Sequence, residues 1–239
     1  MKVLSVFGIS KSGKTTTIEK IIAELRERGY SVGSVKNIHY EKFAIDTKGS
    51  NTDRHRRAGA QLVTARGLHE TDILYGEQLP IEKILGLYDH DFVILEGVER
   101  FNVPKIITAH TLPEIDERIN PSVFAIAGVI SDEHDEYNGV PVFNALKDHK
   151  ALVDYIEEKV FDLLPNVGPE VCRLCGLGCE ELLRQILDGR KVRKDCLLDR
   201  TQVCLVIGDK KIKMTLFDFF KEPVRDMMER IGGYVIGPD

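Results

Sequence analysis

A glycine-rich loop near the start of the chain carries the clearest chemistry in the sequence. Residues 8–15 read Gly-Ile-Ser-Lys-Ser-Gly-Lys-Thr and match G-x-x-x-x-G-K-[ST], a pattern that cradles phosphates. Backbone N–H groups and the positive end of the following helix attract phosphate, while the lysine reaches the outer phosphates and the hydroxyl ligates Mg²⁺. A turn that only caps a structural helix is the alternative. We expect phosphate to be bound by Gly8, Ser10, Lys11, Ser12, Gly13, Lys14, Thr15 and Thr16.

A magnesium ion in such a site also needs an acidic group at the end of a neighbouring strand. Glu96 follows the apolar run of residues 91–95 and is the best candidate to ligate Mg²⁺ together with Thr15. Asp91 begins the same run, at the end away from bound phosphates, and ranks lower. If the chain hydrolyses nucleotide, we expect Lys14 and Glu96 to be catalytic; a solvated strand end is the plainer explanation of Glu96.

A basic segment, residues 51–60, follows the second predicted strand. In nucleotide hydrolases a segment in this region often senses the outermost phosphate. Asp53 would then assist Mg²⁺ or orient the attacking water as a catalytic residue, and Arg54 or Arg57 would contact phosphate. A solvated helix face explains the same composition. Because the chain contains no Lys-x-Asp, the usual guanine-recognition motif is absent, and the pattern leaves ATP and GTP open.

Alternating strand and helix patterns surround these residues. A helix with Ile18, Ile21, Ile22 and Leu25 on one face follows the loop and ends at Gly29, and another is predicted over 147–163. The alternation predicts an α/β fold, a P-loop NTPase domain with a mostly parallel sheet and helices on both faces. The predicted strands are residues 3–9, 31–36, 61–65, 91–95, 105–109, 123–130 and 141–143.

The composition is that of a folded protein. The 239 residues are 43% apolar and 30% charged, with a formal net charge of −5. These values exclude a disordered chain, and the longest apolar runs are too short for a membrane span. The charge gives no reason to expect nucleic-acid binding. The N-terminus lacks the cleavage pattern of a signal peptide, so we expect a cytoplasmic protein.

A proline- and glycine-rich stretch, residues 165–169, predicts a domain boundary. The first domain would be residues 1–167, and residues 168–239 would form a small α+β cysteine-rich domain. The second part shows a helical pattern over 180–187 and a hairpin pattern, 203–207 and 210–214, around Gly208-Asp209. A last helix would carry Val224, Met227, Met228 and Ile231 on one face.

All five cysteines lie in the second part. Cys172, Cys175, Cys179 and Cys196 place three thiols on one short loop and a fourth beyond the predicted helix. Four thiolates suit a [4Fe-4S] cluster or Zn²⁺, and unliganded thiols are the third alternative. Cys204 lies in the predicted hairpin and is expected to be a core residue. A basic run either offsets cluster charge or forms a solvated loop: Arg190, Lys191, Arg193 and Lys194.

Four segments in order resemble the MobB family, small P-loop proteins of molybdenum-cofactor biosynthesis. They are GISKSGKTTTIEKII, RGYSVGSVKNIHY, IDTKGSNTDRHRRAGAQLV and DFVILEG, and the resemblance spans roughly residues 1–160. It implies a GTP-binding protein with weak GTPase activity that assists the guanylyltransferase attaching GMP to molybdopterin, an adapter to molybdoenzymes, and a homodimer. By motif match, phosphate and Mg²⁺ would be bound by Gly13, Lys14, Thr15 and Thr16, with Asp53 and Glu96 lining the same site.

The cysteine segment lies outside that resemblance. It is similar to the four-cysteine iron-sulfur module of corrinoid proteins and electron-transport complexes, although three residues, not four, separate Cys175 from Cys179.

Two alternatives to the function of a GTP-binding adapter stay open. One is a P-loop kinase acting on a small molecule, and the other is a non-enzymatic iron-sulfur redox or metal sensor with a nucleotide switch.

Overall fold

The structure is a computed structural model that describes residues 1–40, 43–167, 172, 174–198, 201–207, 210–215 and 234–236. Its strands are β1 (Lys2–Gly8), β2 (Val32–Lys36), β3 (Leu62–Arg66), β4 (Thr71–Tyr75), β5 (Phe92–Glu96), β6 (Lys105–Thr108), β7 (Val123–Ala127), β8 (Glu136–Tyr137), β9 (Val140–Phe143), β10 (Gln202–Ile207), β11 (Lys210–Thr215) and β12 (Tyr234–Ile236). Its helices are α1 (Lys14–Glu27), α2 (Asn51–Arg57), α3 (Ile81–Leu85), α4 (Leu112–Asp116), α5 (His149–Lys159) and α6 (Cys179–Leu187), with 3-10 helices at Val129–Asp132 and Arg193–Asp195. Within these ranges no helix combines the length and apolar character needed to cross a membrane.

A seven-stranded sheet forms the centre of the fold, in the order β2-β5-β1-β6-β7-β9-β8. Every neighbouring pair in it is parallel except β8 with β9. Because side chains alternate along a strand, Leu4 and Val6 of β1 face a core with α1 and α5, while Val3 faces one with α3. Helices therefore cover both faces, and the predicted α/β class with a mostly parallel sheet is confirmed.

The strand predicted at 61–65 exists, but its assignment to the parallel sheet is wrong. As β3 it pairs antiparallel with β4 in a separate two-stranded sheet. Val63 is its one buried side chain, whereas a strand inside a parallel sheet is apolar on both faces. The predicted strand 123–130 is also longer than the observed strand. The strand ends at Ala127 because Gly128 adopts φ 94° and turns the chain into the 3-10 helix Val129–Asp132.

The cysteine part contains the predicted elements that fall on described residues. Helix α6 matches the helical pattern over 180–187, and β10 pairs antiparallel with β11, as the hairpin pattern predicted. Strand β12 adds to the other edge of β10. The turn Gly208-Asp209 and the predicted helix with Val224, Met227, Met228 and Ile231 lie outside the described residues. The division at residue 167 stays a prediction.

Candidate functional site

The phosphate loop joins β1 to α1 at the carboxyl edge of the sheet. Gly8 has φ 143° and Gly13, the N-cap of α1, has φ 100°, and both angles favour glycine. A side chain on Gly8 would lie 2.0 Å from the Thr108 carbonyl oxygen. Ser12 is buried, with its hydroxyl 2.9 Å from the Ile9 oxygen and 2.7 Å from Thr108 Oγ1. The motif therefore folds as the sequence predicted, as a tight turn that opens a helix.

Two supports of this loop come from neighbouring strand ends and were not identified from the sequence. Thr108 ends β6, where the parallel register sets it beside Gly8. Gly128 follows β7, and a β-carbon there would lie 2.2 Å from the Ser12 carbonyl oxygen. The Val129 N–H donates to that same oxygen at 3.2 Å. The isolated glycine inside the predicted strand 123–130 was the available signal for this close approach.

The functional end of Lys14 lies inside the loop. Its Nζ donates to the Gly8 carbonyl oxygen at 3.0 Å and also to the Ile9 carbonyl oxygen. Burial lowers the pKa of Lys14, and the carboxylate of Glu96 opposes that effect. The ammonium group thus stands among the loop's backbone atoms, where phosphate oxygens would lie in a nucleotide complex.

Glu96 reaches the loop from β5, the strand next to β1. The Thr15 hydroxyl donates to Glu96 Oε1 at 3.0 Å, so the two predicted magnesium ligands are neighbours. Lys36 Nζ lies 2.8 Å from the same carboxylate oxygen, because β2 and β5 pair with Lys36 opposite Glu96. Two adjacent oxygens beside the phosphate loop fit the preference of Mg²⁺ for oxygen ligands. Lys36 carried no predicted role, since only the strand order places it beside Glu96.

Asp53 uses its carboxylate within its own turn of the chain. It is buried, accepts from the Gly49 N–H at 2.8 Å, and pairs with Arg56 and Arg57 at 3.2 and 2.9 Å. The Gly49 hydrogen bond, with help from the arginines, lowers the pKa of Asp53 to about 2. In the described part of the chain these contacts stabilise the start of α2, and the predicted roles of Asp53 and Arg57 at phosphate remain predictions.

The remaining predicted site residues are exposed or make structural contacts. Ser10, Lys11, Thr16 and Arg54 are exposed. Asp91, which ranked below Glu96, accepts from the Ser31 N–H at 2.8 Å at the opposite end of β5. The placement of Asp91 agrees with that ranking.

The four predicted cysteine ligands lie around one apolar cluster. Cys196 is buried with Leu164, Leu182, Leu183 and Leu198, and Cys172, Cys175 and Cys179 pack against them. Burial, together with the neighbouring Cys196, raises the pKa of the Cys179 thiol. No three His, Cys, Asp or Glu side chains among the described residues are grouped as a metal shell. The structure thus gives no support to the predicted iron-sulfur or zinc site.

The basic run before Cys196 has structural contacts. Arg193 donates to the Asp162 and Leu163 carbonyl oxygens at 2.7 and 2.8 Å, which fastens this run to the segment that follows α5. Arg190 pairs with Asp188. These two arginines therefore have partners other than a cluster.

A phosphate loop after β1, a helix opening at its lysine and an acidic strand end beside its threonine define a P-loop nucleotide-binding protein. A family model described as molybdopterin guanine dinucleotide synthesis protein B, MobB, matches residues 3–131, more than half of the chain. The chain belongs to the MobB family.

Individual relatives agree with this assignment. A Methanocaldococcus jannaschii protein named putative molybdopterin-guanine dinucleotide biosynthesis adapter protein is 26% identical over 217 residues, covering 87% of this chain and 82% of its own length. A Bacillus subtilis protein named as a probable adapter of the same biosynthesis is 27% identical over 158 residues, 64% of this chain and 90% of its own length. Since 87% of the chain exceeds residues 1–167, the similarity to the M. jannaschii protein extends into the cysteine part.

The fold comparison is consistent with the family. The crystal structure of Bacillus subtilis MobB superposes with a TM-score of 0.57 and 23% identity, covering 68% of this chain and 100% of that one. At this identity the likeness establishes the shared fold.

Proposed function

We propose that this protein is a GTP-binding adapter that assists the synthesis of molybdopterin guanine dinucleotide. The observation that carries the proposal is the Thr15–Glu96 contact, 3.0 Å, beside a complete phosphate loop in a chain of the MobB family. The names of the relatives supply the biosynthetic context. The partner in that context would be the guanylyltransferase that attaches GMP to molybdopterin, with molybdoenzymes as further targets.

The residues at the loop have distinct parts in nucleotide binding. Backbone N–H groups of residues 8–15 would surround the β-phosphate, and Lys14 would turn its ammonium group to the outer phosphates. The Thr15 hydroxyl and the Glu96 carboxylate would hold Mg²⁺, which when bound neutralises charge on the phosphates. Lys36 holds Glu96 in place. Hydrolysis would use water as the nucleophile, and we expect it to be slow without a partner.

The test is calorimetric titration of the full chain with GTP and ATP in the presence of Mg²⁺. Lys14→Ala removes the ammonium group that lies among the loop's backbone oxygens and should weaken GTP binding roughly 100-fold, because charge-assisted hydrogen bonds to phosphate are lost. Lys150→Ala changes an exposed lysine on α5 and is the matched control. Unchanged GTP affinity in Lys14→Ala would contradict the site.

Magnesium binding is tested separately with Glu96→Gln. This variant keeps the shape of the side chain but removes the charge, so the gain in GTP affinity on adding Mg²⁺ should shrink while metal-free binding changes little. An ATP preference, with ATP consumed only when a small acceptor is added, would instead favour the kinase alternative.

We also propose, on spacing, that Cys172, Cys175, Cys179 and Cys196 bind a [4Fe-4S] cluster or, as the alternative, Zn²⁺. Anaerobic purification followed by metal analysis tests it. About four iron per chain supports the cluster and about one zinc supports the structural ion, whereas metal-free folded protein contradicts both.

We propose further that two copies associate through the β3–β4 hairpin. A two-stranded sheet is marginally stable alone, and this one exposes several apolar side chains. Light scattering should give a dimer mass, and Ile73→Lys should give a monomer if the hairpin forms the interface. A wild-type monomer would contradict the proposal. The exposed apolar residues of the hairpin are Leu62, Leu68, Ile73 and Tyr75.

A further inference from the structure

The strand order indicates which loop would bind the base of the nucleotide. The magnesium pair lies on the β5 side of β1, at Glu96, so the metal end of a bound triphosphate is assigned to that side. On the other side of β1 follow β6, β7 and β9. Ligands of open parallel sheets lie across the carboxyl ends of the strands, which leaves the ends of β6, β7 and β9 for the nucleoside.

The 3-10 helix Val129–Asp132 extends from the phosphate loop into this region. Its first N–H, on Val129, donates to the Ser12 carbonyl oxygen at 3.2 Å, and the Ile130 N–H donates to the Ala109 oxygen at 3.0 Å. The helix is therefore attached to the loop at one end and carries Asp132 at the other. A rise of about 2 Å per residue places Asp132 roughly 6 Å from Val129, and Asp132 there contacts Asn144, which follows β9.

The carboxylate of Asp132 is held by side chains that follow β9. Asn144 Nδ2 donates to Asp132 Oδ1 at 2.9 Å, and Lys147 Nζ lies 3.3 Å from the same oxygen. Asn144 is itself fixed, because its Oδ1 accepts from the Leu146 and Lys147 N–H groups at 3.1 and 3.2 Å. Asn144 and Lys147 both bind Oδ1, which leaves Oδ2 of this exposed side chain for a ligand.

Two aliphatic side chains accompany this carboxylate. Val129, at the start of the 3-10 helix, is 48% exposed, and Leu146, between Asn144 and Lys147, is 64% exposed. Asp132 itself is 63% exposed. A planar base packs its face against apolar side chains and forms hydrogen bonds through its edge with a fixed polar group.

We propose that Asp132 is the specificity-determining residue for guanine, with Asn144 and Lys147 as positioning residues. Guanine presents two adjacent donors, N1–H and the N2 amino group, and the two lone pairs of Asp132 Oδ2 can accept from both. Adenine presents an acceptor and a donor along the equivalent edge and cannot satisfy a carboxylate in this way. The inference rests on the proposed GTP binding, and it accounts for recognition in a chain without Lys-x-Asp.

The test is Asp132→Asn in the full chain, titrated with GTP, ATP and XTP in the presence of Mg²⁺. Xanthine carries a carbonyl where guanine carries the N2 amino group, so the asparagine amide can donate to it. We expect GTP affinity to fall roughly 10-fold or more and XTP affinity to rise by a similar factor. Glu133→Gln, the exposed neighbouring carboxylate, is the matched control and should change neither.

The outcomes separate this inference from the function on which it rests. If the wild type binds no triphosphate or prefers ATP, the proposed function fails. If the wild type prefers GTP while Asp132→Asn keeps that affinity and gains nothing for XTP, only the assignment of Asp132 fails. A parallel loss of GTP and XTP also overturns it, because a damaged fold weakens both. Asn144→Ala should reduce the GTP-to-ITP affinity ratio, since inosine lacks the N2 amino group, whereas a merely structural role would lower both affinities equally.

Discussion

Residues 8–15 and residues 172–196 differ in how the fold holds their functional groups. The phosphate loop lies at the carboxyl edge of the sheet, where Thr108, Gly128 and Glu96 from three other strand ends contact it. The cysteine part is fastened at the amino edge, where Arg193 binds the chain next to the start of β1. Its cysteines surround apolar side chains and do not form a metal shell among the described residues.

The two sites depend on different groups to be complete. Phosphate is bound largely by backbone groups, so a correct turn already forms most of the site. A four-thiolate site needs four side chains to converge, and a metal supplies much of the free energy for that convergence. The first region should therefore be sensitive to backbone changes, and the second to changes in its apolar core.

The largest expected effect is that of Gly128→Ala. The residue has φ 94°, and a β-carbon would lie 2.2 Å from the Ser12 carbonyl oxygen, so the phosphate loop must shift. We expect the free energy of unfolding to fall by about 3–5 kcal/mol, from backbone strain and overpacking together, with a loss of GTP affinity. Urea denaturation and GTP titration measure the two effects.

Gly139→Ala is the matched control for that variant. Gly139 also has a positive φ, 78°, but nothing lies within 4 Å of its β-carbon position. Gly139→Ala should lower the free energy of unfolding by about 1 kcal/mol, from backbone strain alone, and leave GTP binding unchanged. Equal effects of the two substitutions would mean that the contact with Ser12 does not support the loop.

The next effect is that of Leu183→Ala in the cysteine part. Leu183 is buried in the cluster that includes Leu182 and Cys196. Truncation should lower the free energy of unfolding of this part by about 2–4 kcal/mol, since a core leucine is replaced by a cavity. GTP affinity should stay unchanged, because the cluster and the phosphate loop lie at opposite edges of the sheet.

Leu197→Ala, which alters a 42% exposed leucine of the same part, is its control and should change stability by less than about 1 kcal/mol. Hydrogen exchange of α6 reports the local loss. A fall in GTP affinity in Leu183→Ala would show that the two regions are coupled, and the contrast drawn between them would then be wrong.

The sequence predicted the features that local pattern determines. The phosphate loop, α1 and the strand ending at Glu96 follow from turn residues and periodicity within a few positions. The roles of Lys36, Thr108 and Gly128 depend on which strands are neighbours, and alternation of strands and helices does not specify that order. For the same reason the strand at 61–65 was recognised but given the wrong partner. The elements α3, α4, β4, β8 and β12 were not predicted, because each spans five residues or fewer and shows little hydrophobic periodicity.

The smallest of the three effects concerns Lys105, at the amino edge of the sheet beside the cysteine part. Lys105 begins β6 at the amino edge, is only 3% exposed, and donates to the Val103 carbonyl oxygen at 3.2 Å. Burial lowers the pKa of Lys105 to about 8, although Glu180 at the start of α6 opposes the shift. Below pH 8 the protein therefore bears the cost of an ammonium group that is buried beside the start of α6.

Lys105→Met should remove that cost and raise the free energy of unfolding by about 2–3 kcal/mol at pH 7. Between pH 8 and the ordinary lysine value of 10.5, the unfolded chain holds a proton that the folded protein has released, so wild-type stability should rise with pH. The advantage of the variant should accordingly shrink across this interval. Urea denaturation in reductant at several pH values measures the slope, and Lys150→Met is the exposed control. A variant less stable than the wild type at pH 7 would mean that the attraction to Glu180 outweighs the desolvation of Lys105.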